Sequence, residues 1–352
     1  MDVDSTQLSS APNTSAHAKL DDIAVILTKT SNHFLNQTYD YEASETDYQD
    51  ITNYTTQQKV LAIVPKFTSL LSIIGSFLII LMILRRKKDE RRTYHNLMLG
   101  MSISDILVTT SWFVTTWPVP KGTPGAYGAV GNMQTCTAQG FFGQFSITVV
   151  MYNATLSLYY FLIIDKGWTD DKISKIEPFF HLNAFAWGIG TGVAGIILEL
   201  FNPFGWSCYI TGYPLGCKES WENNGVTTCN RGDNSKIYQW AFFYAPLWTI
   251  MLISTGLMYS VYRCVKNQEL RTSAYASHTV ETSKKIARQA LYYLGAFYVS
   301  WTFPTIDKLM CLFTGNTSYK ITLITAIVML AQGFFNFMVH MHPTYLRFTN
   351  PK

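Results

Sequence analysis

The sequence predicts an all-α integral membrane protein, a seven-transmembrane-helix bundle with its N-terminus outside and its C-terminus in the cytoplasm. Three observations predict it. Of 352 residues, 48% are hydrophobic and 15% aromatic, while only 14% are charged, against about a quarter in a soluble domain. The apolar residues fall into blocks near the ~20 residues that a helix needs to cross a bilayer. Basic residues crowd the loops on one side of those blocks, which fixes their orientation.

The blocks span about 60–84, 94–117, 136–164, 179–200, 238–261, 286–312 and 321–339. Backbone groups in lipid must be satisfied within the segment, and strands would be half as long and strictly alternating, so the blocks read as helices. Arg85, Arg86, Lys87, Lys88, Arg91 and Arg92 lie between helices one and two; Arg263, Lys266, Arg271, Lys284 and Lys285 lie between five and six. The alternate loops carry few cations, so the odd-numbered loops are cytoplasmic. Sequons give an independent vote: Asn13, Asn36, Asn53 and Asn316 each begin an N-x-S/T triplet, and all four fall on the predicted outside, where glycosylation occurs.

Residues 1–59 hold nine acids against three lysines and are rich in Ser, Thr and Asn. They read as a disordered, glycosylated tail. Its opening, MDVDSTQLSS, has no apolar h-region, so helix one serves as the insertion signal. Tyr39, Tyr41 and Tyr48 sit among acids and suit the capture of a cation, though a solubilising tail explains them as well. The outer segment 201–237 contains Cys208, Cys217 and Cys229 and reads as a stapled cap; with Cys136 it supplies four oxidisable thiols, which allow three pairings. The inner segment 262–285 is polar, with six Ser/Thr residues in QELRTSAYASHTVETSKK, and reads as a linker open to phosphorylation. Residues 340–352 form a short cytoplasmic tail. No internal repeat suggests the paired halves of a transporter.

Asp105 is the costly residue: an acid at mid-membrane costs roughly 2.5–3.5 kcal/mol on insertion scales. It should face the bundle interior, with partners at its depth from Ser146, Asn153, Gln332 and Asn336. A structural polar cluster explains it as well as a switch does, and a buried network with two arrangements is both. Pro246 and Pro304 interrupt helices five and six, and Trp301 puts a large ring beside the second kink. Lys284, Lys285 and Arg288 make a basic inner end of helix six, which also suits snorkelling to anionic lipid. His95, His181, His340 and His342 fall near the cytoplasmic face, but no H-E-x-x-H spacing or adjoining acid points to a metal. Helix seven has no lysine between 321 and 339 for a retinal Schiff base.

Across roughly residues 58–348 the chain resembles a seven-helix G-protein-coupled receptor. The resemblance rests on Ser104-Asp105, Cys136, GWSC at 205–208, the Trp301/Pro304 pair and QGFFNFMVHMHPTY from 332 to 345. GWSCYI and QGFFNF look most like the cyclic-AMP-receptor-like and secretin/adhesion-like branches, which occur in protists and algae. Helix three ends YYFLIIDKGW without an Asp-Arg-Tyr triplet, so rhodopsin-like activation residues do not carry over. The resemblance implies a Cys136–Cys208 disulfide, leaving Cys217 with Cys229. It also implies an outer ligand pocket, an inner G-protein cavity and a moving helix six.

The resulting expectation is a plasma-membrane receptor, not an enzyme, that needs no cofactor and no metal. Its partners would be an extracellular ligand of unknown identity, a heterotrimeric G protein and the lipid bilayer, with no nucleic acid. Trp112, Trp117, Phe141, Gln144, Tyr244, Trp248 and Asp307 are pocket candidates by depth and aromatic content. Asp105, Asn153, Trp301, Pro304 and Asn336 would form the switching core, and Lys166, Lys284, Lys285 and Arg288 the G-protein contact. The rivals are a transporter, which lacks a second acid along its path, and a membrane metallo-hydrolase, which would need the histidines to converge.

Overall fold

The computed structural model describes residues 54–214, 217, 229–271, 277–314 and 318–349. Asn13, Asn36, Asn53, Asn316 and the tyrosine cluster of the tail lie outside them.

Thr55 opens α1 (Thr56–Leu84) with a capping box, its hydroxyl accepting from Gln58 N–H while the Gln58 side chain accepts from Thr55 N–H. This meets two of the orphan donors that every helix start exposes. Apolar Phe67, Leu70, Leu71, Ile74 and Phe77 remain exposed along its outer face, as expected for a helix whose solvent is lipid. Its inward face is small and polar instead: Ser69, Ser72, Gly75 and Ser76 are all buried.

The helix α2 (Thr93–Phe113) crosses the centre of the bundle, and 13 of its 21 residues are buried. Contact with protein instead of lipid is why this helix tolerates so many polar residues. It ends before Trp117, because the chain turns at Thr115 with φ of 44°. The helix α3 (Met133–Ile164) is capped by Asn132, whose side chain accepts from Gln134 and Thr135 N–H. It is interrupted at Phe145, where the Ser146 hydroxyl donates to Gly143 C=O. A short turn of helix, Asp170–Ser174, leads to α4 (Glu177–Ile197).

The segment after α4 folds into an antiparallel hairpin, β1 (Phe201–Phe204) with β2 (Ser207–Ile210), turning at Gly205, whose φ of 55° suits glycine. Leu200, Phe201, Asn202, Ser207 and Cys208 are fully buried, so the hairpin plugs the outer mouth of the bundle. Cys136 at the head of α3 is bonded to Cys208 in β2, and Cys217 to Cys229.

The helix α5 (Ser235–Leu270) contains a π-helical turn at Trp240–Tyr244, immediately before Pro246. The extra residue absorbs the backbone bond that proline cannot make. The helix α6 (Ser277–Thr314) carries Pro304 internally. The piece of α5 after the π turn, Ala245–Arg271, runs one residue past Leu270. Most of the polar stretch 262–285, expected to be a linker, is therefore helical; extending an existing helix by good helix formers costs little once it is nucleated. Finally, α7 comes in two pieces, Tyr319–Leu330 and Gln332–Thr349, which meet at 46° around Ala331. This break has no proline to announce it.

Among the described residues, four helices are individually long and apolar enough to cross a membrane, and the bent α7 pair makes a fifth. The helices α2 and α6 fall short. α2 lies in the interior, and the apolar part of α6 is interrupted by Pro304, Asp307 and Lys308. The architecture is a seven-helix bundle, all-α apart from the hairpin.

Candidate functional site

Asp105 is buried at the seam where α1, α2 and α7 meet. Its Oδ2 accepts from the Ser76 hydroxyl at 2.7 Å and the Ser72 hydroxyl at 3.2 Å. Ser72 in turn accepts from Gly333 N–H at 2.8 Å, a donor near the start of the second piece of α7, where the break leaves backbone groups without helical partners. The chain of bonds thus ties the α7 break to the acid through two serines of α1. The backbones are in close approach here: a Cβ on Gly75 would lie 2.9 Å from Gly333 C=O.

None of the expected partners of Asp105 bonds to it. Asn153 donates to Val149 C=O within its own helix, and Ser146 to Gly143 C=O. Gln332 accepts from the Trp301 indole N–H at 3.0 Å. Asn336 Oδ1 and Gln332 Nε2 are buried without a protein partner. Depth alone misassigned these residues, because serines on the face of α1 nearest to α2 reach the carboxylate first.

The Trp301–Gln332 bond links the Pro304 region of α6 to the α7 break. The same indole packs on Phe243, inside the π turn of α5, at 5.3 Å between ring centres. One side chain therefore touches the irregular segments of three helices. With Ile147, Val150, Leu247, Ile250 and Phe297 it forms a separate apolar cluster between α3, α5 and α6.

Above this level the hairpin is wired to the helices. Gln139 of α3 accepts from Cys208 N–H at 2.9 Å and donates to the Ser111 and Thr115 carbonyls at the end of α2. The Tyr209 hydroxyl donates to Gln144 Oε1, and Gln144 Nε2 reaches Thr191 Oγ1 at 3.1 Å and Phe242 C=O at 3.5 Å. Phe242 lies in the π turn, so the cap and the α5 irregularity share one glutamine. Burial pushes the Tyr209 phenol well above its usual range, which keeps it a neutral donor.

The seven outer candidates do not converge on one space. Trp112 is only 6% exposed and packs under Trp206 and Tyr209 of the hairpin, beside Gln144. Phe141 fills the notch that Gly192 leaves in α4. Trp117 is 48% exposed, with Lys66 Nζ 3.4 Å above its ring. Tyr244 and Trp248 gather on the α5–α6 edge with Trp240 and Lys308, and Asp307 accepts there from Thr322 at 3.3 Å. Sequence reasoning missed Ser72, Ser76, Gln139, Tyr209 and Lys308. A stripe of small residues on one face of α1, the packing signal of membrane helices, was available for the serines.

At the inner end a narrow crevice, too tight to admit a water molecule, lies between α3 and α6, lined by Asn153, Ser157, Tyr160 and Tyr293 among others. Lys166 sits beside Asp165 at 3.2 Å, Lys284 pairs with Glu269 at 2.8 Å, and Lys285 and Arg288 are exposed. The histidines are dispersed. His95 Nδ1 accepts from Arg92 N–H, His181 lies between Tyr152 and Glu177, His340 contacts Tyr94 and Tyr293, and His342 packs on Tyr292. Among the described residues no three His, Cys, Asp or Glu side chains could share a metal ion.

No protein-family model matches the sequence, and no curated protein matches it. Among solved structures, the crystal structure of squid rhodopsin matches with a TM-score of 0.57 at 13% identity, over 89% of this chain and 90% of that one. The fold is that of rhodopsin. Within the rhodopsin fold the seam at Asp105 and the Trp301–Gln332 bond occupy the middle of the bundle, between the hairpin and the inner crevice.

If the seam is a switch, Asp105→Ala should leave surface delivery largely intact while changing basal or ligand-driven signalling. The measurement is signalling at matched surface amounts; an unchanged response would assign Asp105 to packing alone.

Proposed function

We propose that the chain is a plasma-membrane receptor that binds an extracellular ligand under its outer cap and promotes nucleotide exchange on a heterotrimeric G protein. The observation that carries this reading is the Trp301–Gln332 bond. It joins the Pro304 helix, with its basic inner end, to the broken helix whose Gly333 N–H is tied to Asp105 through Ser72. A ligand that displaces Trp301 breaks or lengthens that bond, and α6 is then free to pivot about Pro304. The pivot widens the crevice between α3 and α6 and presents Lys285 and Arg288 beside it. A ligand achieves this only through better contacts with the open arrangement than with the closed one. Glycosylation at the four sequons and the two outer disulfides suit a chain exposed at the cell surface.

The test is nucleotide exchange by purified heterotrimeric G proteins on membranes containing this chain. Exchange above that of empty membranes, lost in a Lys285→Ala/Arg288→Ala double variant of equal membrane content, is the expected result. Exchange that the double variant retains in full would remove the basic end of α6 from the G-protein contact. No exchange, together with uptake of a solute or tightly bound zinc, would move the assignment to a transporter or a hydrolase.

A further inference from the structure

Lys308 follows Pro304 by one helical turn on α6, within the block 286–312 that reads as a membrane span. Its ammonium donates to the neutral Gln239 Oε1 at 2.5 Å and stands 5.2 Å from the centre of the Tyr244 ring. Among the described residues it has no carboxylate at ion-pair distance. The neighbouring Asp307 accepts from Thr322, and Lys236, one turn before Gln239 on α5, brings a second positive charge to the same edge. Trp240, Tyr244 and Trp248 follow at intervals of four, with Trp240 edge-on to Trp248 at 4.9 Å. The Trp248 indole N–H is buried without an acceptor.

This edge is rich in donors and poor in acceptors. A cation inside a membrane protein ordinarily has an anionic partner, because an unpaired charge in low dielectric is costly. Here Asp307 attracts the ammonium from beyond ion-pair distance, and the direct contacts are an amide and a phenol ring, which shield the charge without neutralising it. The gap in charge is matched by an apolar aromatic wall.

We propose that the outer α5–α6 edge binds an anionic group, a carboxylate or phosphate carried on an apolar body, with Lys308 as its counter-charge. Resting on the receptor reading, this names the chemical class of the ligand. The anion accepts from the Lys308 ammonium, and the apolar body lies along Trp240, Tyr244 and Trp248. Occupancy bears on α6 one turn from Pro304, close to the Trp301 hinge.

The test uses the full chain in phosphatidylcholine nanodiscs, without G protein, and reads the unfolding midpoint against concentration of octanoate or of neutral octanamide. A parallel arm compares discs with and without phosphatidylglycerol. The expected result is a rise with the anion and not with its neutral counterpart. Apparent affinity should be about tenfold weaker in Lys308→Gln, equivalent to about 1.4 kcal/mol, and largely retained in Lys308→Arg. Tyr244→Phe should retain the anion preference and serves as a second, milder variant. A response to octanoate alone identifies a soluble ligand as the source, and one to phosphatidylglycerol alone a lipid headgroup. No preference for the anion in either arm overturns the proposal, as does a preference that survives intact in Lys308→Gln. An anion preference with solute uptake or bound zinc in place of nucleotide exchange would reject the receptor reading and keep the site; exchange without the preference would do the reverse.

Discussion

Gly333→Ala is expected to lower the thermal unfolding midpoint of the purified protein and its amount at the cell surface. A Cβ at this position would lie 2.6 Å from Ser72 Oγ and closer still to Ser76 Oγ and Asp105 Oδ2. All three atoms belong to the hydrogen-bonded seam, so the methyl cannot be accommodated by one flexible side chain. Overpacking of this kind costs roughly 1–3 kcal/mol, and separating α7 from α1 would also strip Ser72 of the Gly333 N–H. The matched control is Gly190→Ala on α4, where a Cβ meets nothing within 4 Å. There alanine should be neutral or stabilising by about 0.5–1 kcal/mol, because glycine is a poor helix former. Equal midpoints for the two variants would show that α1 and α7 do not approach as closely as the seam requires.

The second large effect is expected for Cys136→Ser. The bond from Cys136 to Cys208 spans 72 residues of sequence, and chain-entropy arguments assign a loop of that length about 4 kcal/mol. The Cys217–Cys229 bond spans 12 residues, for which the same argument gives about 3 kcal/mol. Cys136→Ser should therefore reduce surface delivery and unfolding temperature strongly, and Cys217→Ser less. The Cys136→Ser/Cys208→Ser double variant should resemble either single one, since each removes the same bond. Wild-type delivery of Cys136→Ser would mean that Gln139 and the buried hairpin residues hold the cap without the staple.

The fold was legible because bilayer thickness and loop charge impose coarse rules that single residues cannot hide. Asp105 was legible for a related reason, as an acid in an apolar run has few explanations. Its partners were not, because Ser72 and Ser76 are unremarkable in composition and acquire meaning only when α1 and α2 are placed side by side. Pro304 and Pro246 announce themselves, and the π turn at Trp240–Tyr244 follows from the second, but the break at Ala331 has no proline and leaves no local signature. Among the outer aromatics, depth gave no account of the rotation of each helix. Trp117 is therefore exposed near Lys66, while Trp112 lies beneath the hairpin. Lys308 gave no signal of its own in the sequence, and its contact with Gln239 emerges only when α5 and α6 are placed side by side.

The serines of α1 bear on how the chain is made. Helix α2 falls short of the hydropathy that lets a segment leave the translocation channel for lipid by itself, and its acid adds to the cost. Helix α1 is apolar enough, and it already carries the two hydroxyls that Asp105 accepts from. The pair can therefore enter the bilayer together, with the second helix shielded by the first while the ribosome is still at work. The amide that completes the arrangement belongs to Gly333, more than two hundred residues later, so this joint closes only after the last helix has been delivered.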